Sequence, residues 1–442
     1  MGGQIKNIEK GEIKLMKSVK EKMGITLISL AVTIILILIL AGVTIDAVFS
    51  ENGIINKAKE VANSMNNALE SDQAELNDLL EELNEIMNSE WNNNIEIPGE
   101  NTIPEPDPEL PKIEDITGIQ DETIEVEDEY GNKVTIPKGF EVVEEEGTTV
   151  PEGIVIQDKD GNQFVWIPVG RVYKDNTGDN YSDIQLGRYT FARTNGTPTP
   201  VQLAYTEENP NIFEQLISIN LNNGADYYEY TTRTNPDGIL SNGENGLNAI
   251  ARDLAGFVES VKENCGYYLG RYEASYGSGT NAENYKPLTK VSTWTNFDTS
   301  RVGSLWNNIN QIDAAKISRN MYNNDSSVGV ESDLINSYAW DTAIVFIQEM
   351  ESTNYANKID GSKSIRNTGS GNDKVCNIFD MASNCYEWST EYSSYGYIGS
   401  SFPCIARGGV YDTTSLYTSF RHNVVATYSY NFTSFRILIY IK

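Results

Sequence analysis

The feature that most constrains this chain is an uninterrupted apolar run at residues 24–45, GITLISLAVTIILILILAGVTI, which contains no charged side chain. At about 1.5 Å per residue, a helix of this length spans a hydrocarbon core of about 30 Å. Six lysines precede the run, and Asp46 and Glu51 follow it. Because positive charge stays inside, the sequence predicts a single-pass transmembrane helix at 25–45, with a cytoplasmic N-terminus and an extracellular C-terminal domain.

The charge of the chain is distributed unevenly. Six of its 33 basic and three of its 63 acidic side chains lie in the leader, residues 1–24, which leaves 27 basic against 60 acidic groups in the remainder. So acidic a body repels phosphate backbones, which excludes nucleic acid as a partner. Aromatic residues make up 10% of the chain, enough to build a core, so the acidity does not indicate disorder.

Two segments separate the membrane from the body. Apolar residues recur at three- and four-residue spacing from Ile54 to Ile86, which predicts an amphipathic helical stalk at 46–91, either a continuous helix or a short coiled coil. Residues 97–111 then contain five prolines among acidic and amide residues. Proline at this density favours an extended chain, so residues 92–112 are predicted to be an acidic linker.

Short β-type runs follow the linker. Residues 123–137, TIEVEDEYGNKVTIP, predict a hairpin that turns at Tyr130-Gly131-Asn132, and a second hairpin turns at Asp160-Gly161. Residues 158–162, DKDGN, lack the remaining spacing of a calcium loop, so a tight turn is preferred. We assign residues 113–158 to a short β-hairpin segment ahead of the main domain.

The end of the basic leader resembles the type IV prepilin leader. A lysine-rich segment ends at Gly24, and the apolar run begins with Ile25. The resemblance implies cleavage by prepilin peptidase between Gly24 and Ile25, and it makes the pilin-assembly machinery a candidate partner. The family's glutamate at the fifth mature position is Ser29 here, which puts polymerisation in doubt more than processing. A plain signal anchor is the alternative.

Six strings in the C-terminal part occur in an order that resembles the formylglycine-generating enzyme, or sulfatase-modifying factor, family. They are FVWIPVG at 164–170, GYYLGRYEAS at 266–275, SYAWDTAIVFIQEM at 337–350, NIFDMASNCYEWSTEY at 377–392, ARGGVYD at 406–412 and SFRILIYIK at 434–442. The resemblance covers about residues 160–442. It implies an irregular α+β fold of the C-type-lectin-like kind over 159–442, with an insertion in loops at about 175–250.

Within these strings, the residues that we interpret as fold-defining are Tyr272, Glu273, Asp380, Trp388, Arg407, Gly408, Gly409 and Arg436. Trp388 offers a large apolar anchor with a polar edge, and the paired glycines allow a close backbone approach that side chains would forbid. Arg407, Arg421 and Arg436 are expected to pair with carboxylates such as Asp380 and Glu387 inside the fold.

No catalytic residue is assigned. The family's oxidases use a C-terminal cysteine pair that binds copper, and no cysteine follows Arg407 here. Its iron-dependent relatives need several histidines, and His422 is the only one. We therefore expect neither copper nor iron. The resemblance also implies a structural Ca²⁺ site at Asn384 and Glu387, with Ser383 in place of the family's glycine; a hydrogen-bonded turn is the alternative.

The four cysteines allow up to two disulfides in an extracellular protein, with three possible connectivities. They are Cys265, Cys376, Cys385 and Cys404. Three of them fall within 29 residues, so at least one bridge is expected.

The C-terminal stretch 392–434 is poor in charge and rich in tyrosine, serine, threonine and asparagine, a composition typical of adaptable binding loops. Strand propensity of tyrosine and threonine explains the same composition equally well. The candidate binding residues are Tyr395, Tyr397, Tyr411, Tyr417, Tyr428 and Tyr430. The stretch also resembles the variable proteins of diversity-generating retroelements, in which adenine-directed mutation replaces asparagine codons.

These patterns predict a membrane-anchored bacterial surface protein that displays a non-catalytic domain for an extracellular protein or glycan ligand. One alternative is an oxidoreductase-like enzyme of the same family with altered chemistry. The other is a minor type IV pilin-like filament component.

Overall fold

The computed structural model describes residues 110–205, 217–220, 226–229, 239–241, 247–393, 404–413 and 415–442. The chain divides into two units, Met1–Pro104 and Glu105–Lys442, and the described residues all lie in the second. The predicted leader with Gly24 and Ile25, the transmembrane helix, the stalk and most of the linker therefore lie outside the described residues. Within the described part of the chain, no helix is long and apolar enough to cross a membrane.

The described residues are rich in strands and contain few helices, which gives the α+β class that the sequence predicts. The α-helices are α1 (Leu254–Asn264), α2 (Gln311–Asn320) and α3 (Ser337–Met350). Strands β1 to β12 are Ile124–Glu127, Lys133–Ile136, Phe140–Val142, Val155–Asp158, Gln163–Pro168, Gly170–Tyr173, Tyr181–Ile184, Gly187–Phe191, Pro198–Leu203, Ile217–Asn220, Asp226–Glu229 and Ile239–Ser241. Strands β13 to β24 are Leu247–Ala249, Gly266–Gly270, Ser275–Ser278, Lys286–Leu288, Val330–Leu334, Lys374–Val375, Ile378–Phe379, Tyr386–Ser393, Cys404–Arg407, Arg421–Val424, Thr433–Phe435 and Ile437–Ile441.

One six-stranded sheet, which we call sheet A, has the order β17-β24-β14-β5-β4-β3, and its neighbouring strands are antiparallel. Its central strands are apolar runs such as ILIYI in β24, and all five of these side chains are buried. Continuous apolar runs are typical of strands that are covered on both faces. Helix α1 packs on β14 and β24, and α2 packs on β17.

The second six-stranded sheet, sheet B, has the order β10-β11-β20-β21-β22, and β23 pairs with β20 in parallel. Helix α3 contacts β5 of sheet A and β20 of sheet B. The helix begins after Asn336, whose side-chain oxygen accepts a hydrogen bond of 2.9 Å from the backbone N–H of Ala339. The helix predicted for residues 337–350 is confirmed.

Both predicted hairpins form, and their turns share the pattern Asp-x-x-Gly-Asn. Oδ1 of Asp128 accepts from the N–H of Asn132 at 2.8 Å, and Oδ1 of Asp158 accepts from the N–H of Asn162 at 2.9 Å. An aspartate that bonds to the backbone ahead of it stabilises a tight turn. The interpretation of residues 158–162 as a turn is therefore confirmed.

Two sequence-based boundaries need correction. The boundary at residue 158 falls inside the hairpin of β4 and β5, where Ile156 pairs with Phe164, so residues 113–158 belong to the main domain. The expected loop insertion at 175–250 contains strands, and one of them, β11, joins sheet B through the pairing of Tyr228 with Tyr392. Tyrosine and threonine favour strands, and here this tendency outweighs the asparagines and glycines.

Candidate binding surface

Five residues that the sequence singled out meet in a buried group that we call the carboxylate cluster: Glu273, Asp380, Asn384, Glu387 and Arg436. The Arg436 guanidinium donates to both oxygens of Glu387, at 2.5 and 2.9 Å. Nδ2 of Asn384 donates to Glu273 at 2.5 Å. Burial raises the pKa of Glu273 well above its usual range and also raises the pKa values of Glu387 and Asp380. In this cluster burial therefore outweighs the positive charge of Arg436.

The predicted calcium ligands are engaged with protein groups. Oδ1 of Asn384 accepts from the backbone N–H of Arg366 at 2.8 Å, and Glu387 is paired with Arg436. Among the described residues, no group of three or more histidine, cysteine or acidic side chains is arranged to hold a metal ion. A Ca²⁺ ion bound by these two side chains would have to replace those donors. The calcium site stays a prediction.

A second buried group, the arginine cluster, consists of Asp341 and Glu391 with Arg188, Arg407 and Arg421. Glu391 accepts from Arg188 at 2.7 Å, and from Arg407 and Arg421 at 3.0 Å each. Asp341 accepts from Arg421 at 2.5 Å and also pairs with Arg407. Burial alone would raise the pKa of Glu391, but the three guanidinium groups outweigh it and hold that pKa at about 2.

All three arginines pair with carboxylates inside the fold, as expected, but two of them use carboxylates that the sequence analysis did not name. Arg436 pairs with Glu387 as predicted, but Arg407 and Arg421 pair with Asp341 and Glu391. Asp341 lies on α3, which the sequence presents as an apolar helix. Its role could not be read from the sequence, because the strands that carry the arginines reach it only in the folded chain.

Two glycines that follow β21 lie against the 381–383 segment. Gly408 has a φ of 89°, and a Cβ there would lie 2.6 Å from the carbonyl oxygen of Met381. A Cβ on Gly409 would collide with the carbonyl oxygen of Ala382. Only glycine tolerates both the conformation and the contact. The close approach expected from the sequence brings the chain back to the surface at Tyr411.

Seven ring side chains form a continuous row across the end of sheet B, which we call the aromatic ladder. In order of contact they are Tyr417, Phe420, His422, Tyr386, Phe432, Tyr430 and Tyr428. Successive ring centroids lie 4.8 to 6.2 Å apart. The guanidinium of Arg193 lies 3.4 Å from the ring centroid of Tyr417 and closes one end. Such spacings allow favourable ring–ring contacts along the whole row.

The ladder is only partly buried. Tyr386, in the middle, is 3% exposed, and Tyr428, at one end, is 39% exposed. The other five rings are of intermediate exposure. Contacting rings that remain open to solvent offer contact area whose conformation is already restricted.

The structure brings three of the predicted tyrosines, Tyr417, Tyr428 and Tyr430, into this ladder. Tyr411 lies beside it, and its hydroxyl accepts from Nδ2 of Asn431 at 3.3 Å. Tyr395 and Tyr397 lie outside the described residues.

Sequence reasoning missed four members of the ladder. Phe420, His422 and Phe432 lie in the same charge-poor stretch and could have been included on that signal. Tyr386 lies outside that stretch and has no such signal.

His422 contributes a neutral ring to the ladder at neutral pH. Burial lowers its pKa from 6.5, although Asp412 opposes the effect. The imidazole stacks on Tyr386 with a centroid distance of 4.8 Å and an interplanar angle of 10°. The ladder is therefore an uncharged surface in a strongly acidic protein.

The expectation of a disulfide is wrong, because all four cysteines are free. Cys376 lies between β18 and β19, Cys385 precedes β20, and Cys404 begins β21. Although these three cysteines are close in sequence, they lie at different elements and form no bridge. Burial raises the pKa values of Cys385 and Cys404 well above their usual range.

No protein-family model, curated protein or solved structure matches this chain. The interpretation of the surface therefore depends on its own geometry and on the sequence motifs.

Proposed function

We propose that residues 105–442 form a ligand-recognition domain whose binding surface is the aromatic ladder. The observation that carries this proposal is the ladder itself, a row of seven contacting rings, six of which are partly open to solvent. Tyrosine rings supply large amphipathic contact area at low entropic cost. A loop-rich surface of this kind suits recognition of a protein or a glycan.

The support beneath the ladder favours the same function. Arg421 lies between Phe420 and His422 in the chain and is anchored to Glu391 and Asp341 in the arginine cluster. These salt bridges anchor the chain between Phe420 and His422, so these two rings are held in place from below. A surface that is rigid before binding loses less conformational entropy on association.

The wider proposal is that this domain is displayed outside a bacterial cell behind a single membrane helix. The ordered motifs support a fold of the formylglycine-generating-enzyme type without its thiol chemistry. Cys385 and Cys404 are buried, and neither thiol lies on the proposed surface. We also propose that residues 392–434, which carry six of the seven ladder rings, are varied by a diversity-generating retroelement.

A ligand screen tests the proposed surface. The full-length chain, purified in detergent, is screened against arrayed glycans and surface proteins, and bound ligands are titrated. Replacing Tyr430 with alanine should weaken binding at least about tenfold, because the change removes one ring and the stacking of its neighbours.

Tyr181 provides the matched control. It is 41% exposed, like Tyr428 at 39%, and the guanidinium of Arg171 lies over its ring, as Arg193 lies over Tyr417. Tyr181→Ala should bind as the wild type does. Equal losses in both variants, or copper-dependent oxidation of a cysteine peptide by the wild type, would overturn the proposal.

The proposed variability has a separate test. The codons for residues 392–434 are compared with any similar repeat near the gene. Differences concentrated at adenines of the repeat are expected, and differences spread evenly over all bases would contradict the proposal.

A further inference from the structure

A second group of exposed apolar side chains lies on the segment 291–302. Its three large apolar side chains are well exposed: Val291 at 51%, Trp294 at 47% and Val302 at 64%. An exposed indole offers a large apolar face with a polar edge to a ligand. The indole of Trp294 borders a cavity of about 430 Å³, lined by residues 294–299 and Arg301. This volume lies within the range of small-molecule sites.

The cavity is held open by the protein's own contacts. The carbonyl of Trp294 accepts from the N–H of Leu305 at 2.8 Å, and Phe297 stacks on Trp306 with a centroid distance of 5.0 Å. Trp306 is buried in the core, so the loop is anchored from below. The site therefore exists before any ligand arrives.

The lining is polar but carries no net charge. Asp298 pairs with Arg301 at 3.3 Å, and the Arg301 guanidinium lies 4.1 Å from the centroid of the Trp294 indole. The remaining polar side chains of the lining are the amide of Asn296 and the hydroxyls of Thr295 and Thr299. Together these groups both donate and accept hydrogen bonds. They match a neutral ligand with many hydroxyl groups. Because Asp298 and Arg301 are paired with each other, a charged ligand would find no unpaired opposite charge in this lining.

Buried Asn307 joins this loop to the end of the aromatic ladder. Its Oδ1 accepts from the N–H of Phe297 at 3.0 Å, and its Nδ2 donates to the carbonyl of Asn431 at 2.7 Å. The next N–H, of Asn308, donates to the carbonyl of Tyr430 at 2.9 Å. The cavity and the Tyr430 end of the ladder are thus bonded to the same short segment.

From these contacts we infer that the Trp294 cavity is a subsite for a neutral sugar residue. In this subsite the indole of Trp294 stacks against the apolar C–H face of the sugar ring. The sugar hydroxyls form hydrogen bonds with Asp298, Asn296 and Arg301. This inference rests on the proposed function, in which the ladder binds the remainder of the ligand. It specifies the ligand as a glycan that extends from the ladder to the cavity.

Saturation-transfer NMR tests the subsite with the full-length chain in a detergent that has no sugar headgroup. The probes are glucose, galactose, mannose and N-acetylglucosamine, with choline and acetate as charged comparisons. At least one sugar should receive saturation at its ring C–H protons. Trp294→Ala should weaken its binding about tenfold and Trp294→Phe by less, because a smaller ring still stacks.

Val302→Ala is the control, since it removes an exposed apolar side chain of the same segment that does not line the cavity. It should leave sugar binding unchanged, and far-ultraviolet circular dichroism should show the native spectrum for every variant. The inference is overturned if no sugar binds, if only choline or acetate binds, or if Trp294→Ala binds as the wild type does.

The two proposals fail separately. Loss of glycan binding in Tyr430→Ala but not in Trp294→Ala would contradict the sugar subsite and support the ladder. The reverse result would support the subsite and contradict the ladder as the binding surface.

Discussion

Each of the two six-stranded sheets contains a fully buried strand, β24 in sheet A and β20 in sheet B, but the two strands are stabilised in different ways. Sheet A is built from apolar runs such as the five residues Ile437–Ile441, whose burial is non-directional. Strand β20 of sheet B also has all eight side chains buried, but Glu387, Ser389, Thr390, Glu391 and Ser393 are polar. Each of these polar side chains needs a partner in a defined direction.

The difference teaches where this protein can tolerate change. An apolar core accepts another side chain of similar volume at a cost below about 1.5 kcal/mol. A buried ion pair loses about 3–5 kcal/mol when one partner is removed, because the other charge stays buried without compensation. Sheet B should therefore tolerate fewer substitutions than sheet A. Two residues of the aromatic ladder, Tyr386 and His422, belong to strands of sheet B.

The largest expected effect is in the arginine cluster. Arg407→Met keeps most of the side-chain volume but leaves Asp341 and Glu391 with fewer partners, so the free energy of unfolding should fall by about 3–5 kcal/mol. Ile439→Leu in sheet A is the matched change and should cost less than about 1.5 kcal/mol. Urea unfolding followed by near-ultraviolet circular dichroism measures both. Equal losses would remove the distinction between the sheets.

Acid should weaken sheet B first. The folded-state pKa of Glu391, about 2, is below its ordinary value of 4.5, so its stabilisation is complete above pH 4.5 and is lost as the pH falls towards 2. Wild type and Ile439→Leu should lose stability in parallel over this window. Arg407→Met should lose less stability over this window, since one fewer guanidinium group lowers the pKa of its Glu391. Unfolding curves at pH 2.5 and 5 provide the comparison, and parallel losses in all three proteins would contradict it.

The next effect has the opposite sign. Glu229 of β11 accepts from the N–H of Ser337 at 2.9 Å, and burial raises its pKa to about 7. A raised carboxyl pKa makes the folded state most favoured below pH 4.5, with stability lost as the pH rises through 7. Glu229→Gln removes this loss.

The variant should therefore be more stable than the wild type at pH 8, on the order of 1–3 kcal/mol, and closest to it at pH 4.5. Thermal unfolding at the two pH values measures the difference. An equal difference at both pH values would show that Glu229 does not titrate in this window.

The smallest expected effect concerns the cysteines. Since all four are free, adding a reductant should leave the unfolding temperature unchanged. Alkylation of the unfolded, unreduced protein should modify all four thiols, which mass spectrometry counts. Fewer than four modified thiols would show a disulfide bridge and would contradict the free cysteines of the structure.

Local features could be predicted from the sequence because their causes are local. The two Asp-x-x-Gly-Asn turns are made by an aspartate and the backbone of the next four residues, so both hairpins were correct. The helix 337–350 followed from its apolar content, and the glycine pair followed from the backbone freedom that only glycine has. The composition of the charge-poor C-terminal stretch identified three of the seven rings of the ladder, Tyr417, Tyr428 and Tyr430.

Partners distant in the chain could not be predicted. Arg407 meets Asp341, 66 residues away, only because α3 packs against sheet B, and the same sequence allowed Asp380 as an equal choice. Phe297 reaches Asn431 through Asn307 only after the strands between them are placed.

The sequence by itself determined the turns, the helix and the presence of a charge-poor, tyrosine-rich C-terminal stretch, since these depend on local propensity and composition. The α+β class was expected only from the resemblance of the ordered motifs. Tertiary structure alone decided which charges pair, that the cysteines stay apart and that seven rings form one surface. The physical reason is that an ion pair or a ring stack depends on distances of a few ångströms, and topology sets those distances.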